Sequence, residues 1–388
     1  FQAEDGIRDL VRSRGLGDVY KRQVERELER DAHVPIPYHS VKVESNAVSF
    51  KVRFHEKDDD DAWKDDDGKH YPDRTFNGDL AEEAIEQIGS AQELILESVN
   101  EGKNHRKAQP PFTTESMLRA ANGRMGWSIG RTNRVATALY QAGHITYIRT
   151  DSTRTSKSAR ERIRTLIKKE YGSNHLGDGA LGPDAKKGSS NVQDAHEAIR
   201  PTQPEVKTLG DADSDQQSLY RLIWGRFAAS QMSDSIRERR NMVMKAENLE
   251  LPLYGTSSWR IHAGWEAVYS AEKDVKTEPP KIGFEIGTKW TFSSTEDNPL
   301  LTSDETKPPR RFTESSIIQE MKKADIGRPS TYLTTVGKLV DRGYVNKDGT
   351  SLIPTEHGRL LWIEVCLLYT SDAADEGLGV DLGGRRII

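Results

Sequence analysis

Cysteine is almost absent from this chain of 388 residues, since Cys366 is the only one. A single thiol excludes an internal disulfide framework and any Cys-x-x-Cys zinc ribbon within the chain. Long apolar runs are absent too: no stretch approaches the roughly 20 apolar residues that span a bilayer. No secretory signal pattern opens the chain. The sequence therefore predicts a cytoplasmic protein without a membrane segment.

Charge, in contrast, is plentiful and unevenly placed. Charged residues make up 30% of the chain and hydrophobic residues 35%, which at this length predicts two to three domains with broad wet surfaces. The net charge of -5 argues mildly against a nucleic-acid partner until the charges are located. Residues 56–67 hold eight acidic and two basic residues, whereas residues 147–170 hold eight basic and three acidic ones. Because the local field decides polyanion binding, the second region is a candidate for contact with phosphates.

The segment Ile145–Thr150 is dense in β-branched and aromatic residues, which predicts a short strand. Strand side chains alternate between faces, so Tyr147, Arg149 and Asp151 would share one face. A guanidinium fork suits phosphate oxygens, which makes this face a candidate phosphate site. The alternative is an edge strand with a half-buried tyrosine and a surface Arg–Asp pair, and the spacing alone does not decide between the two.

Four short sequence strings add information that the spacing of Tyr147, Arg149 and Asp151 does not provide. In chain order they are Pro110-Pro111-Phe112-Thr113-Thr114, Tyr147-Ile148-Arg149-Thr150-Asp151-Ser152, Asp194-Ala195-His196-Glu197-Ala198-Ile199-Arg200-Pro201 and Ile326-Gly327-Arg328-Pro329-Ser330-Thr331-Tyr332. Together they resemble the type IA DNA topoisomerases, and the resemblance runs from Val24 to about Val365. It implies a multidomain α+β fold: a toroidal core with a β-rich arch module, a mostly helical module that carries the active-site tyrosine, and a C-terminal helical segment.

The resemblance and the changes of hydrophobic period predict the module boundaries. Residues 24–33 would end a helical domain, residues 34–107 and 233–305 would form the two parts of the arch module, residues 108–232 the tyrosine module, and residues 306–365 a helical DNA-binding segment. Residues 1–23, which show no sustained helical or strand period, and residues 366–388 resemble translated sequencing adapters. We therefore expect both ends to be foreign to the natural gene, as an expression tag would be.

Local patterns predict the main elements. Alternating residues around Ser45-Asn46 predict a hairpin, and residues 92–99 predict a further strand. Predicted helix caps are, in chain order, Asp79, Thr114, Ser156, Thr313 and Ser330, and one more helix spans about residues 130–142. Residues 233–302 alternate again, and their predicted core residues are Trp259, Ile261, Trp265, Val268, Trp290 and Phe292.

The resemblance assigns roles to individual residues. Tyr147 is the implied nucleophile, Arg149 would bind the scissile phosphate, and His196 would add charge or a proton near it. The implied DNA contacts are Asp151, Thr153, Arg200, Arg328, Ser330 and Thr331. Taken alone, Asp-x-His-Glu suggests a metal site, but the His-Glu-x-x-His pairing of zinc proteases is absent because Arg200 stands at the second histidine position.

The helix after Ser156 presents a basic face near the implied nucleophile. Its basic residues are Lys157, Arg160, Arg162, Arg164, Lys168 and Lys169. Such a face is either a solvated helix surface or a groove for nucleic acid, and its position beside Tyr147 favours the groove.

A tyrosine suits reversible strand cleavage. A phenol with a pKa of about 10 leaves far more easily than a serine hydroxyl, so cleavage and religation both stay feasible. The resemblance implies relaxation of DNA supercoils by a monomer that acts on single-stranded or underwound DNA through a 5'-phosphotyrosine intermediate. It also implies Mg2+, whose ligands belong to a first domain that this chain lacks. We therefore expect the chain as written to bind single-stranded DNA weakly and to cleave little or none.

Three alternatives were weighed. Tyrosine recombinases and type IB topoisomerases also use Tyr, Arg and His, but they place the nucleophile after the Arg and His elements, whereas Tyr147 precedes His196. A module that only binds DNA and the topoisomerase part of a reverse gyrase stay open. Ile148 stands where topoisomerase III usually has proline, which favours topoisomerase I or reverse gyrase.

Overall fold

The computed structural model describes residues 14–178, 196–270, 274–360 and 362. Within these ranges the helices are α1 (Arg14–Asp31), α2 (Gly78–Ala91), α3 (Thr114–Met125), α4 (Ile129–Gln141), α5 (Lys157–Tyr171), α6 (Ser214–Ala229), α7 (Glu266–Tyr269), α8 (Glu314–Lys323) and α9 (Tyr332–Asp341). The strands are β1 (Pro37–Ser45), β2 (Val48–Val52), β3 (Glu93–Arg106), β4 (Ser235–Lys245), β5 (Leu253–His262), β6 (Lys289–Thr291), β7 (Leu300–Glu305), β8 (Val345–Asp348) and β9 (Ser351–Pro354). No described helix is both long enough and apolar enough to cross a membrane.

Seven strands form one antiparallel sheet in the order β6-β3-β4-β5-β2-β1-β7. Strands β1–β3 precede helices α3–α6 in the chain and β4–β7 follow them, so the sheet is built from two distant parts of the sequence. The predicted hairpin is confirmed as β1 and β2, joined by Asn46 and Ala47 in the left-handed conformation. Alternate residues of β2 are buried, and Phe50 packs with Trp290 in the core that helix α2 covers.

Three predicted core residues of this sheet are wrong, because Trp265 and Val268 pack against the core of the helices and Ile261 is exposed. Ile261 is 46% exposed, although Trp259 two residues earlier is buried as predicted. Alternation fixes which side of a strand a residue faces, but burial also needs an element that covers that side. The buried core of the sheet draws on Leu253 at the opposite end of β5, so the side chain of Ile261 remains in water.

The helices between β3 and β4 enclose a second core. Helices α3, α4, α5 and α6 contribute its buried residues, among them Leu139, Ile163 and Phe227. Ser156 and Gly172 bound α5 as predicted, because the Ser156 hydroxyl accepts the Ala159 amide at 3.3 Å and the Gly172 amide returns to the last turn. The apolar spacing of α5 therefore encodes both its extent and its buried face.

A third core joins the two ends of the described chain. Val19, Tyr20 and Val24 of α1 are buried with residues of α8, α9, β8 and β9, and the Tyr20 ring centroid lies 5.9 Å from that of Tyr344. The prediction that residues 1–23 lack a helical period is therefore wrong from Arg14 onward, because contacts far along the chain stabilise this helix. Whether residues 1–23 are foreign to the natural gene stays a prediction, and residues 366–388 lie outside the described ranges.

Several helices begin one or two residues from their predicted caps. Asn77 rather than Asp79 caps α2, and Thr113 rather than Thr114 caps α3, where it forms a reciprocal capping box with Ser116. Helix α9 begins after Thr331, and the predicted cap Ser330 lies outside it. Side-chain oxygens at neighbouring positions can reach the same free amides, so the sequence alone locates a cap only approximately. The cap at Thr313 is confirmed.

A buried carboxylate forms ion pairs that connect the sheet to the helices. Glu266, at the start of α7, has a side chain only 2% exposed, and its oxygens lie 3.0 Å from Arg106 of β3, 3.1 Å from Arg237 of β4 and 3.3 Å from Arg260 of β5. At the other end of α7, the Tyr269 ring belongs to the helical core. Helix α7 thus connects three adjacent strands to the helices that carry the candidate site.

Candidate active site

The segment that contains Tyr147 is not a strand, and its backbone bends at Ile148 and Arg149. Its one ladder contact is an isolated bridge between Ile145 and Pro201. The predicted alternation of faces is nevertheless present, because Ile148 and Thr150 are buried while Tyr147 and Arg149 are exposed. The predicted strand is wrong because side-chain and loop groups, not a neighbouring strand, bind the backbone polar atoms of this segment.

Thr114 forms hydrogen bonds with the backbone of this segment. Its hydroxyl accepts a hydrogen bond from the Thr150 amide at 2.8 Å. The same hydroxyl lies 2.7 Å from the Ile148 carbonyl oxygen and 3.0 Å from the Thr150 carbonyl oxygen, and it donates its proton to one of these two oxygens. The Thr114 amide also donates to the Thr150 carbonyl oxygen at 2.9 Å. These groups are buried, so the backbone around Arg149 is fixed by contacts that water does not replace.

Replacing Thr114 by valine should therefore loosen the Tyr147 segment. The change leaves a buried amide and a buried carbonyl without a partner, and we expect a loss of about 1–3 kcal/mol in the free energy of unfolding. Urea titration and hydrogen exchange at the Thr150 amide measure both effects. Thr137→Val is the matched control, because the Thr137 hydroxyl bonds only within α4, to the Asn133 carbonyl oxygen. Equal losses in the two variants would contradict the assigned role of Thr114.

Residues 196–202 lie along the other side of the Tyr147 segment. The Thr146 amide donates to the Arg200 carbonyl oxygen at 2.9 Å, and the Thr146 hydroxyl donates to the Ala198 carbonyl oxygen at 2.7 Å. The Ile199 amide donates to the Phe112 carbonyl oxygen at 2.8 Å. Three of the four strings found in the sequence are thus hydrogen-bonded to one another. Asp194 and Ala195 lie outside the described residues.

Three rings and one guanidinium gather at the exposed face. Tyr147 is 36% exposed, and its ring centroid lies 5.1 Å from that of His196 and 5.5 Å from that of Tyr140. Within the described part of the chain, neither the Tyr147 hydroxyl nor the Arg149 guanidinium has a hydrogen-bond or ion-pair partner. Arg149 is exposed two residues from Tyr147, so a phenol and a guanidinium on this segment are both open to solvent.

Arg200 differs from Arg149 because its side chain already has partners. Its side chain is 11% exposed, and its Nε donates to Glu197 at 2.7 Å and one terminal nitrogen to the Pro201 carbonyl oxygen at 2.9 Å. A further terminal nitrogen lies 3.3 Å from the Ser156 hydroxyl. These bonds tie Arg200 to the segment that carries His196 rather than leaving it open to solvent.

The fourth string forms the turn between α8 and α9 and lies near the same surface. Burial raises the pKa of the Tyr332 phenol, and the Asp151 carboxylate raises it further, so Asp151 faces this turn. Arg328 is exposed and donates to Asp325 at 2.9 Å, while the Thr331 hydroxyl accepts the Arg328 amide at 2.9 Å. Ser330 is exposed, and Thr153 is half-buried beside the Tyr147 segment.

The basic face of α5 is partly occupied by internal partners. Arg162 forms a two-bond pair with Glu205, which lowers the pKa of that carboxyl, and Arg164 donates to the Gly177 carbonyl oxygen at 2.7 Å. Lys157 lies 3.8 Å from Glu161. Among the described residues, Arg160, Lys168 and Lys169 have no ion-pair partner, so the face available to a polyanion is smaller than the sequence suggests.

Carboxylates in the described ranges do not form a magnesium site. No group of three or more His, Cys, Asp or Glu residues there is placed to hold a metal ion. The acidic runs at residues 58–61 and 65–67 lie in turns and loops. The donor set that Mg2+ requires is therefore not assembled by these residues, and we derive no step through a metal here.

The geometry can now be compared with known proteins. Residues 21–375 match the family described as DNA topoisomerase. The chain belongs to the type IA DNA topoisomerase family. The solved structure of full-length topoisomerase I from Thermotoga maritima aligns with a TM-score of 0.74 at 29% identity, over 94% of this chain and 59% of that one. This likeness confirms the predicted multidomain α+β topoisomerase fold.

Curated members of the topoisomerase family agree. The DNA topoisomerase 1 of Thermotoga maritima is 33% identical over 351 residues, which are 87% of this chain and 50% of the relative. The DNA topoisomerase 1 of Escherichia coli is 31% identical over 347 residues, which are 87% of this chain and 37% of the relative. The chain spans about half the length, or less, of these relatives. Their names agree with the main prediction and do not favour the binding-only or reverse gyrase alternatives.

Two residues of this topoisomerase site were missed or misassigned from the sequence. Thr114 was interpreted as a cap, although its hydroxyl holds the Tyr147 segment. Tyr140 was not singled out, although its ring contacts that of Tyr147. A signal was present for Tyr140: it lies four residues after the buried Ala136 and eight after the buried Thr132, which places it at the edge of the buried face of α4, seven residues before Tyr147.

Proposed function

We propose that this chain carries the strand-cleaving part of a type IA DNA topoisomerase, with Tyr147 as the nucleophile. The observation that supports it best is the exposed Tyr147 side chain, two residues from an exposed Arg149 that has no partner among the described residues, on a segment held by buried hydrogen bonds. Fixed donors and cations next to a reactive oxygen stabilise charge that develops in the transition state. The same arrangement would be unnecessary for a surface that only packs.

The proposed reaction transfers a phosphodiester to tyrosine. The phenolic oxygen of Tyr147 attacks the phosphorus and loses its proton, and the bond from phosphorus to the 3' oxygen breaks. This leaves a 5'-phosphotyrosine and a free 3' hydroxyl, and religation is the reverse reaction. Arg149 would bind the phosphate oxygens and His196 would add positive charge or move a proton, because its ring lies 5.1 Å from that of Tyr147.

The remaining candidates would guide the DNA strand. We propose that Asp151, Thr153, Arg328, Ser330 and Thr331 contact the strand from the Tyr147 segment and from the turn before α9, and that phosphate contacts of the cationic and hydroxyl side chains among them set its register. Arg200 would act indirectly: its internal bonds to Glu197 support the segment that carries His196. We propose single-stranded or underwound DNA as substrate and a monomer as the acting species, and a DNA substrate places the protein in the cytoplasm.

Strand passage would follow from the way the chain is connected. The helices around Tyr147 are covalently joined to the sheet at two crossings, after β3 and before β4. We propose that these helices swing on the sheet to open a gate. Mg2+ belongs to the family's chemistry, and in this proposal its ligands come from a domain outside this chain.

A cleavage assay tests the proposal. Two proteins are compared: the chain alone, and the chain joined to a magnesium-binding domain of the type IA family. Each is incubated with labelled single-stranded DNA and magnesium and is then run on a denaturing gel. We expect a protease-sensitive covalent adduct from the joined protein and little or none from the chain alone. Absence of an adduct from a joined protein that binds the DNA would overturn the assignment of Tyr147.

A further inference from the structure

A large, partly exposed aromatic residue lies next to the proposed nucleophile. Tyr140 occupies the last turn of α4 and is 41% exposed, whereas its neighbour Leu139 is fully buried in the helical core. Within the described residues its hydroxyl has no hydrogen-bond partner. A buried hydroxyl would need a partner, but an exposed one does not, so stability does not explain a tyrosine here.

The ring of Tyr140 is oriented against Tyr147. The two ring centroids are 5.5 Å apart and the planes meet at 67°, an edge-to-face arrangement. Such a contact uses one edge or one face of each ring and leaves the other surfaces open. Because Tyr140 is on a regular helix whose other side is buried, its ring is a firmly based aromatic surface at the edge of the proposed cleavage site.

We propose that Tyr140 stacks on a nucleobase next to the phosphate that Tyr147 attacks. This inference rests on the proposed function. The Tyr140 ring centroid lies 5.5 Å from that of Tyr147, so a base stacked on Tyr140 would belong to a nucleotide close to the scissile phosphate. Arg149 holds the phosphate and Tyr140 holds the base, which together fix the strand at the reacting atom.

The ligand class follows from the chemistry of the ring. Every nucleobase presents a π-face, so stacking on Tyr140 tolerates all four bases and requires that the base be unpaired. The stacking surface is the aromatic ring and not the hydroxyl. Phenylalanine at this position therefore retains the interaction, and an aliphatic residue of similar size loses it.

Two binding measurements test the inference on the full chain, with no need for cleavage. Fluorescence anisotropy gives the affinity for labelled single-stranded DNA. A set of oligonucleotides, each with 2-aminopurine at one position, reports stacking because a stacked 2-aminopurine has its fluorescence quenched. We expect Tyr140→Leu to weaken binding about tenfold and to abolish the quenching at one or two adjacent positions, and Tyr140→Phe to preserve both.

Tyr254→Leu is the matched control, because Tyr254 is 39% exposed on strand β5 of the sheet. We expect it to leave affinity and quenching unchanged. Two results would overturn the inference and leave the proposed function standing. One is quenching in Tyr140→Leu that equals the quenching in the unmodified chain, and the other is a loss of affinity in Tyr254→Leu that equals the loss in Tyr140→Leu. Failure of the unmodified chain to bind any oligonucleotide would instead overturn the proposed function and this inference with it.

Discussion

Tyr147→Phe should leave no covalent DNA adduct. The substitution removes the one oxygen that the proposed reaction attaches to phosphorus and leaves the ring that contacts Tyr140 and His196. The Tyr147 hydroxyl has no hydrogen-bond partner among the described residues, so its removal should leave stability unchanged. We therefore expect adduct formation, measured on denaturing gels with the joined protein, to fall below detection.

Binding should survive this change. The affinity of Tyr147→Phe for single-stranded DNA, measured by anisotropy, should stay within about twofold of the unmodified protein because ring stacking and Arg149 are retained. Tyr254→Phe serves as the control for loss of an exposed phenol elsewhere and should cleave normally. Residual adduct in Tyr147→Phe would move the nucleophile to another residue, and a large loss of affinity would show that the hydroxyl acts in binding.

Glu266→Gln should be the most destabilising change at the junction between sheet and helices. The substitution removes a carboxylate that contacts three arginines, so their guanidiniums lose the negative charge of Glu266 at a partly buried position. Removing one partner of a buried ion pair typically costs about 3–5 kcal/mol. Because Arg106 is 38% exposed and partly solvated, we expect a loss near the lower end, about 3 kcal/mol, in the free energy of unfolding from urea titration.

Glu205→Gln provides the comparison at the surface. Glu205 forms a two-bond pair with Arg162, but both side chains are 45% exposed. Exposed pairs contribute about 0–1 kcal/mol, so this variant should lose far less than Glu266→Gln. If the two variants lose similar free energy, burial of Glu266 does not strengthen the junction. Conservation of far-ultraviolet circular dichroism in both variants would confirm that the comparison concerns folded proteins.

Local patterns in the sequence predicted those features whose causes lie within a few residues. The hairpin of β1 and β2 follows from alternation around a turn, and helix α5 follows from the Ser156 cap, the 3.6-residue spacing and the Gly172 end. The common face of Tyr147 and Arg149 was also predicted, from the alternation of side chains, although this segment is not the strand that the prediction assumed. The family resemblance supplied the overall topology and the candidate chemistry.

The sequence by itself therefore determined the elements, their exposed faces and the family, since each depends on short-range order or on strings that can be matched. Only the tertiary structure decided that Thr114, 36 residues before Thr150, holds the candidate nucleophile's segment. It likewise decided that Tyr140 contacts Tyr147 and that Glu266 collects arginines from three strands. The contacts of Thr114 with Thr150 and of Glu266 with Arg106 join residues far apart in the chain, and Tyr140 meets Tyr147 across the turn that ends α4, so no local propensity or periodicity encodes which groups meet when the cores close.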